Sequence, residues 1–125
     1  FTNDLGAFVN YSGLSETEFV DEQSGIGYNL NTPKTRIGIG MDYYPNTGFN
    51  ANFNLRYQDA FSVINGFYSG DVDAYTLLDL GVGYGLQNGL SFGLSVTNVT
   101  GEEFRPLPNL PAIGTMGLLR VKYEF

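Results

Sequence analysis

The residues in this chain that could do chemistry are acids, amides and a few cations. Its 125 residues contain no histidine, no cysteine and no tryptophan. Without histidine the usual general base and the commonest transition-metal ligand are gone, and so is any ordinary Ser-His-Asp arrangement. Without cysteine there is neither a disulfide framework nor a thiolate metal site. No catalytic residue, metal site or cofactor is expected. An enzyme, such as a lipid-modifying hydrolase, would have a Ser or Asp without its customary partner. The GVGYG run at 81–85 would cradle a phosphate only if it opened a helix, but no helical pattern follows and its glycines share one strand face. Glu16, Glu18, Asp21 and Glu22 could offer oxygen ligands to a divalent cation; their spacing fits no ligand loop, and a solvated loop is the simpler reading. A net charge of −7 argues against a nucleic-acid surface.

What remains is a set of polar side chains at every second position: Asp42, Asn50, Asn52, Asn54, Arg56, Asp79, Arg120, Lys122 and Glu124. Only strands would bring these onto one surface, because successive strand side chains point to opposite faces. Residues 49–58 show the pattern most cleanly, with Phe49, Ala51, Phe53, Leu55 and Tyr57 alternating with Asn50, Asn52, Asn54, Arg56 and Gln58. Asparagine is a poor strand former, and three on one face would be costly in a dry core but are comfortable on a wet wall. Residues 117–125 set Leu119, Val121, Tyr123 and Phe125 against Leu118, Arg120, Lys122 and Glu124. Similar alternation predicts strands over residues 5–12, 36–44, 77–86 and 90–97.

Between these strands the connections alternate long, tight, long, tight, long. Residues 13–34, 59–75 and 98–116 are the long ones, while the PNTG run at 45–48 and QNG at 87–89 are turn signals. Aromatics gather at strand ends. Tyr43, Phe49, Tyr84 and Phe92, with Tyr123 and Phe125, lie near the tight turns or the C-terminus; Tyr11, Tyr57, Phe61 and Tyr75 lie near the long loops. Alternating apolar and polar faces, unequal connections and two aromatic girdles are the marks of an outer-membrane barrel, whose strands escape hydropathy searches for helices. No stretch approaches the roughly 20 apolar residues of a membrane helix. The opening residues carry neither a basic segment nor an apolar run. The expected fold is all-β: an antiparallel up-and-down transmembrane β-barrel segment over 1–125, of about six strands. That is fewer than the roughly eight of the smallest bacterial barrels, and so incomplete alone.

With the loops placed, NTPK at 31–34, YTLLDLGVGY at 75–84, VTNVTGEEF at 96–104, PNLPAIG at 108–114 and RVKYEF at 120–125 together resemble the final strands of TonB-dependent receptors. The resemblance implies an outer-membrane importer of a scarce nutrient, in which a large barrel holds a plug and an inner-membrane TonB complex supplies energy. It also implies that Leu119, Val121, Tyr123 and Phe125 form the C-terminal signal read by the barrel assembly machinery. Implied partners are outer-membrane lipid, the rest of the barrel, the plug and the TonB complex acting through it; the ligand is left open. No plug-like segment is visible, so the chain reads as a fragment or as one subunit of a split barrel. The N-x-S/T patterns at Asn10 and Asn98 carry no glycosylation meaning in a bacterial outer membrane. Pro106, Pro108 and Pro111 are expected to stiffen an outer loop. The rival readings are a small structural or adhesive barrel, which needs two further strands between Gly13 and Lys34, and a soluble β-sandwich.

Overall fold

A computed structural model describes residues 4–45 and 48–125. Among the described residues ten strands form in chain order: β1 (Leu5–Gly13), β2 (Glu18–Val20), β3 (Gly27–Asn29), β4 (Thr35–Tyr43), β5 (Phe49–Gln58), β6 (Phe61–Val63), β7 (Gly70–Val72), β8 (Tyr75–Gly85), β9 (Leu90–Thr97) and β10 (Met116–Tyr123). Six of them make one sheet in the order β1-β4-β5-β8-β9-β10, every pair antiparallel. It is an up-and-down meander that does not close on itself, and β1 and β10 each leave one edge unpaired.

The expected bounds of β5 and β9 coincide with the observed ones, because alternation there is unbroken. β10 ends at Tyr123, so Glu124 and Phe125 lie just past the final strand. Two of the three long connections contain hairpins too short for a period-two pattern to register. β2 pairs with β3 and β6 with β7, and neither hairpin joins the main sheet. A three-residue 3-10 turn, Gly66–Tyr68, links β6 to β7. Asn46 and Thr47 of the expected PNTG turn lie outside the described residues. At the second turn, Leu86 N–H donates to Leu90 O and Gly89 N–H to Leu86 O. Gly89 is left-handed at φ +83 while Asn88 is not. This is a three-residue loop with a terminal left-handed glycine, rather than the two-residue Asn-Gly turn the dipeptide suggests.

Register fixes the faces. One row runs Leu5, Tyr43, Ala51, Val82, Leu94, Leu119 across all six strands, and the next runs Ala7, Met41, Phe53, Leu80, Val96, Gly117. This face is apolar apart from Thr35 and Thr76 near the long loops, and it is exposed: Val9, Met41, Leu80, Val82, Leu94 and Leu119 are all well exposed to the surroundings. Monomeric soluble proteins rarely show contiguous apolar patches beyond roughly a few hundred Å². The opposite face carries the row Gly6, Asp42, Asn52, Gly81, Ser95, Leu118 and the row Asn50, Gly83, Gly93, Arg120.

The glycines of that polar face explain its asparagines. A Cβ on Gly81 would collide with the side chain of Asn52, and one on Gly83 would lie 2.6 Å from Asn50 Oδ1. Each amide therefore lies flat over bare backbone on the next strand, which a larger cross-strand neighbour would forbid. Phe8 covers Gly40 in the same way. The GVGYG run is strand interior with no helix after it, so the glycines serve as room for neighbours.

Buried side chains are few. Among the described residues, Val63, Val72, Leu77 and Asn98, with Pro33 and Pro108, are packed away from solvent at the long-loop end. The packing core of this segment is where the loops fold onto the sheet.

Candidate functional site

The polar face and the loops at its open end form one structure, built from β5, β8 and the connection after β9. Arg56 on β5 and Asp79 on β8 lie on the same face and form an ion pair, Nη2 to Oδ2 at 2.7 Å. Asp79 spends its other oxygen on the loop, accepting a 3.0 Å hydrogen bond from Asn98 N–H. Asn98 is 2% exposed and takes the left-handed conformation at φ +54. Its side-chain amide donates to Glu102 O at 2.6 Å, its Oδ1 accepts from Thr100 Oγ1, and its backbone carbonyl accepts from Thr115 Oγ1 at 2.7 Å. Glu102 in turn receives the N–H of Thr76. A buried amide with all its groups paired rigidifies what it touches. The wall carboxylate Asp79 thus fixes both ends of the third long connection.

The other loops are tied in similarly. Asn31 Oδ1 accepts from Ile64 N–H at 2.7 Å, joining the first connection to the second. Asn109, left-handed at φ +63, donates from its amide to Phe67 O at 2.6 Å, joining the third to the second. Pro108 is buried against Gly70, consistent with a stiffened loop. At the tip of the first connection, Asp21 Oδ1 accepts the N–H groups of Ser24 and Gln23. Those backbone bonds hold its carboxyl below the ordinary carboxylate range.

Two shallow concavities mark the polar face. One, of about 290 Å³, sits toward the long loops and is lined by Asn10, Ser12, Arg36, Arg56, Gln58 and Tyr75. The other, of about 470 Å³, sits toward the tight turns, with Asn50, Asn52, Arg120 and Lys122 around a glycine floor. A third hollow lies between loops and is lined by Asp71, Asp73, Glu102, Glu103 and Arg105. Among the described residues no group of three or more potential ligands is placed to share a metal ion.

A family model for the TonB-dependent receptor-like β-barrel matches residues 1–99. The chain belongs to that family. No curated protein and no solved structure gives a match. Six strands of this TonB-dependent receptor-like barrel are therefore in hand, antiparallel throughout and open at both edges.

On this barrel segment Asp42, Asn50, Asn52, Asn54, Arg56, Asp79, Arg120 and Lys122 all lie on the polar face. Glu124 lies beyond β10 but pairs with Lys122 Nζ, keeping to the same side. Tyr43, Phe49, Tyr57, Tyr84 and Phe92 all lie on the apolar face. Tyr43 and Phe49 touch with ring centroids 6.3 Å apart. Phe49 and Tyr57 are eight residues apart on β5, about 27 Å along a strand at roughly 3.4 Å per residue. A tilt of about 40° shortens this to about 21 Å, close to the apolar band of roughly 25 Å in such barrels. Tyr75 and Phe61 do not join a girdle. Tyr75 pairs with Gln58 on the polar face and stacks on Phe104 at 4.7 Å, and Phe61 lies in the β6–β7 hairpin. Leu119, Val121 and Tyr123 stand out from the apolar face of β10, and Phe125 is fully exposed. The two extra strands between Gly13 and Lys34 that a small closed barrel would need are absent from the wall, since β2 and β3 pair only with each other.

Sequence reading missed Asn98 as a structural hub. The available signal was an asparagine closing a strand, followed by Thr100 and Gly101, a pattern suited to a left-handed residue with side-chain bonds to its own turn.

Proposed function

We propose that residues 1–125 are one transmembrane segment of an outer-membrane receptor that imports a scarce nutrient in a Gram-negative bacterium. The apolar face meets outer-membrane lipid and the polar face meets the water-filled interior. The three long connections stand outside the cell and contribute to ligand capture. Further barrel strands and a plug, on the same chain or another, cover the two open edges and carry the link to the TonB complex. Unpaired backbone groups in hydrocarbon cost several kcal/mol each, so the edges cannot face lipid uncovered. Leu119, Val121, Tyr123 and Phe125 present the final strand to the assembly machinery. The protein acts by binding and passage rather than by catalysis.

The observation that carries this reading is the register: across six strands one face is apolar apart from Thr35 and Thr76 near the long loops, and the other is mainly polar or glycine, with Phe8, Leu77 and Leu118 among its exceptions. It is tested by fractionating cells that make the full-length protein, alongside the Phe125→Asp variant. The native protein is expected in the outer membrane as a heat-modifiable band. The variant is expected to be synthesised at the same rate yet to fail to insert. Native protein in a soluble fraction would end the membrane assignment. Normal insertion of the variant would end the role given to the C-terminus.

A further inference from the structure

Charge is sorted unevenly in this acidic chain. Of its six cations, Arg36, Arg56, Arg120 and Lys122 lie on the polar face of the six-stranded sheet, whose strands carry only Asp42 and Asp79 of the thirteen carboxylates, with Glu124 reaching Lys122 from just past β10. The other eleven carboxylates belong to loops, short hairpins and ends. The wall is thus locally cationic although the chain carries −7.

Two of those cations are neighbours. Arg36 on β4 stands opposite Gln58 on β5, and Gly38 stands opposite Arg56. The arginines are therefore diagonal cross-strand neighbours, about 7–8 Å apart with their Cβ atoms somewhat closer. Between them lies Gly38, which has no side chain, and Asn10 Nδ2 approaches within 3.4 Å of where its Cβ would be. Like charges at this spacing repel unless a counter-charge joins them. Arg56 has part of its charge met by Asp79, through a single Nη2 contact. Arg36 is exposed and, among the described residues, has no carboxylate within ion-pair distance. A guanidinium offers five donors in a rigid fork suited to two-point binding of carboxylate or phosphate. The Asp79 contact holds the Arg56 fork in place while leaving other donors free.

From this we infer that the concavity of about 290 Å³ lined by Arg36 and Arg56 binds an oxyanion, a small solute carrying carboxylate groups. Both guanidinium groups clasp the anion. Asn10, Ser12 and Gln58 supply neutral hydrogen bonds, and the Tyr75 ring, backed by Phe104, closes the apolar side. The inference rests on the wall facing water, as in the proposed function, and it adds the class of solute that the wall attracts.

The test uses the full-length protein in detergent micelles, with citrate as the probe. Arginines are labelled with a phenylglyoxal reagent and read by mass spectrometry, in citrate and in chloride of equal ionic strength. Citrate is expected to slow labelling of Arg36 and Arg56 while leaving Arg105 unchanged. In Arg36→Gln, protection of Arg56 should need roughly tenfold more citrate, the loss of one charge-assisted contact. Equal labelling of Arg36 and Arg56 in the two salts overturns the inference. So does protection of Arg56 that persists in Arg36→Gln. An Arg36 already unreactive in chloride also overturns it, because a carboxylate from elsewhere in the protein then fills the site. Heat-modifiable migration, run on the same samples, reports the barrel fold independently. If Arg36→Gln fails to fold, the comparison of salts on native protein still decides.

Discussion

Replacing Gly89 by alanine should weaken the barrel wall at the end of the final strand. Gly89 ends the tight turn between β8 and β9 with φ +83, where a side chain is strained. A Cβ there would also run into the backbone carbonyl of Glu124, just beyond β10. That carbonyl cannot simply retreat, because Glu124 N–H donates a 2.9 Å hydrogen bond to Gly89 O. The left-handed conformation costs alanine about 1–2 kcal/mol. Loss of the turn-to-strand hydrogen bond adds about 0.5–1.5 kcal/mol. Together they give about 1.5–3.5 kcal/mol, concentrated at the end of the final strand. The assay is urea unfolding of the full-length protein from lipid vesicles, followed by heat-modifiable migration. Gly114→Ala is the control, since nothing lies within 4 Å of its Cβ position; it should shift stability by less than about 0.5 kcal/mol. Gly89→Asn separates the two causes. Asparagine tolerates the left-handed region better than alanine, but it collides with Glu124 all the same and should recover little. A Gly89→Ala protein as stable as the native one would refute the close approach. Full recovery in Gly89→Asn would reduce the effect to backbone strain alone.

Asp79→Ala should release the third long connection, because buried Asn98 N–H loses its acceptor and Arg56 its partner. The expected cost is about 1–3 kcal/mol, seen as faster amide exchange over residues 98–116. Asp79→Asn keeps an acceptor for Asn98 and loses mainly a half-exposed ion pair, so its effect should be smaller, about 0–1 kcal/mol; equal effects would deny the loop-holding role. The Asp21 carboxyl is lowered by its bonds to the Ser24 and Gln23 N–H groups. Its contribution to the tip of the first hairpin is therefore present above the ordinary carboxylate range and lost as the pH falls through the lowered value. A carbon NMR titration should place the Asp21 midpoint in the intact protein below that in a short unfolded peptide of the same tip. Coincident midpoints would show that the turn is not formed.

The six long strands were legible because each keeps one face nearly all apolar and the other mainly polar or small for eight residues or more, enough for period two to outweigh chance. The same alternation gave the faces, so every charged or amide residue expected on one side stands there. The short hairpins β2–β3 and β6–β7 were not legible, since three residues of strand cannot display a period. Tyr75 shows the limit of position as a guide: it sits at the right height for a girdle but on the wrong parity, opposite Gln58 rather than in line with Tyr57. The Arg56–Asp79 pair was visible only as two polar residues on a wall, because its closeness depends on a register that no single strand encodes. Asn98 was hidden for a similar reason, since its partners come from β8 and from both ends of a long loop. The role of the glycines at 81 and 83 became plain only with Asn52 and Asn50 beside them.

The central claim is that the apolar face touches lipid and the polar face touches water. The chain contains no cysteine, so single cysteines can be placed along β9 of the full-length protein and spin-labelled in lipid bilayers. Collision with oxygen, which partitions into hydrocarbon, is compared at each site with collision with a water-soluble nickel complex. Labels at Phe92, Leu94 and Val96 should favour oxygen, and labels at Ser91, Ser95 and Thr97 should favour nickel, in strict alternation. Uniform accessibility along β9, or alternation with the faces exchanged, would contradict the account.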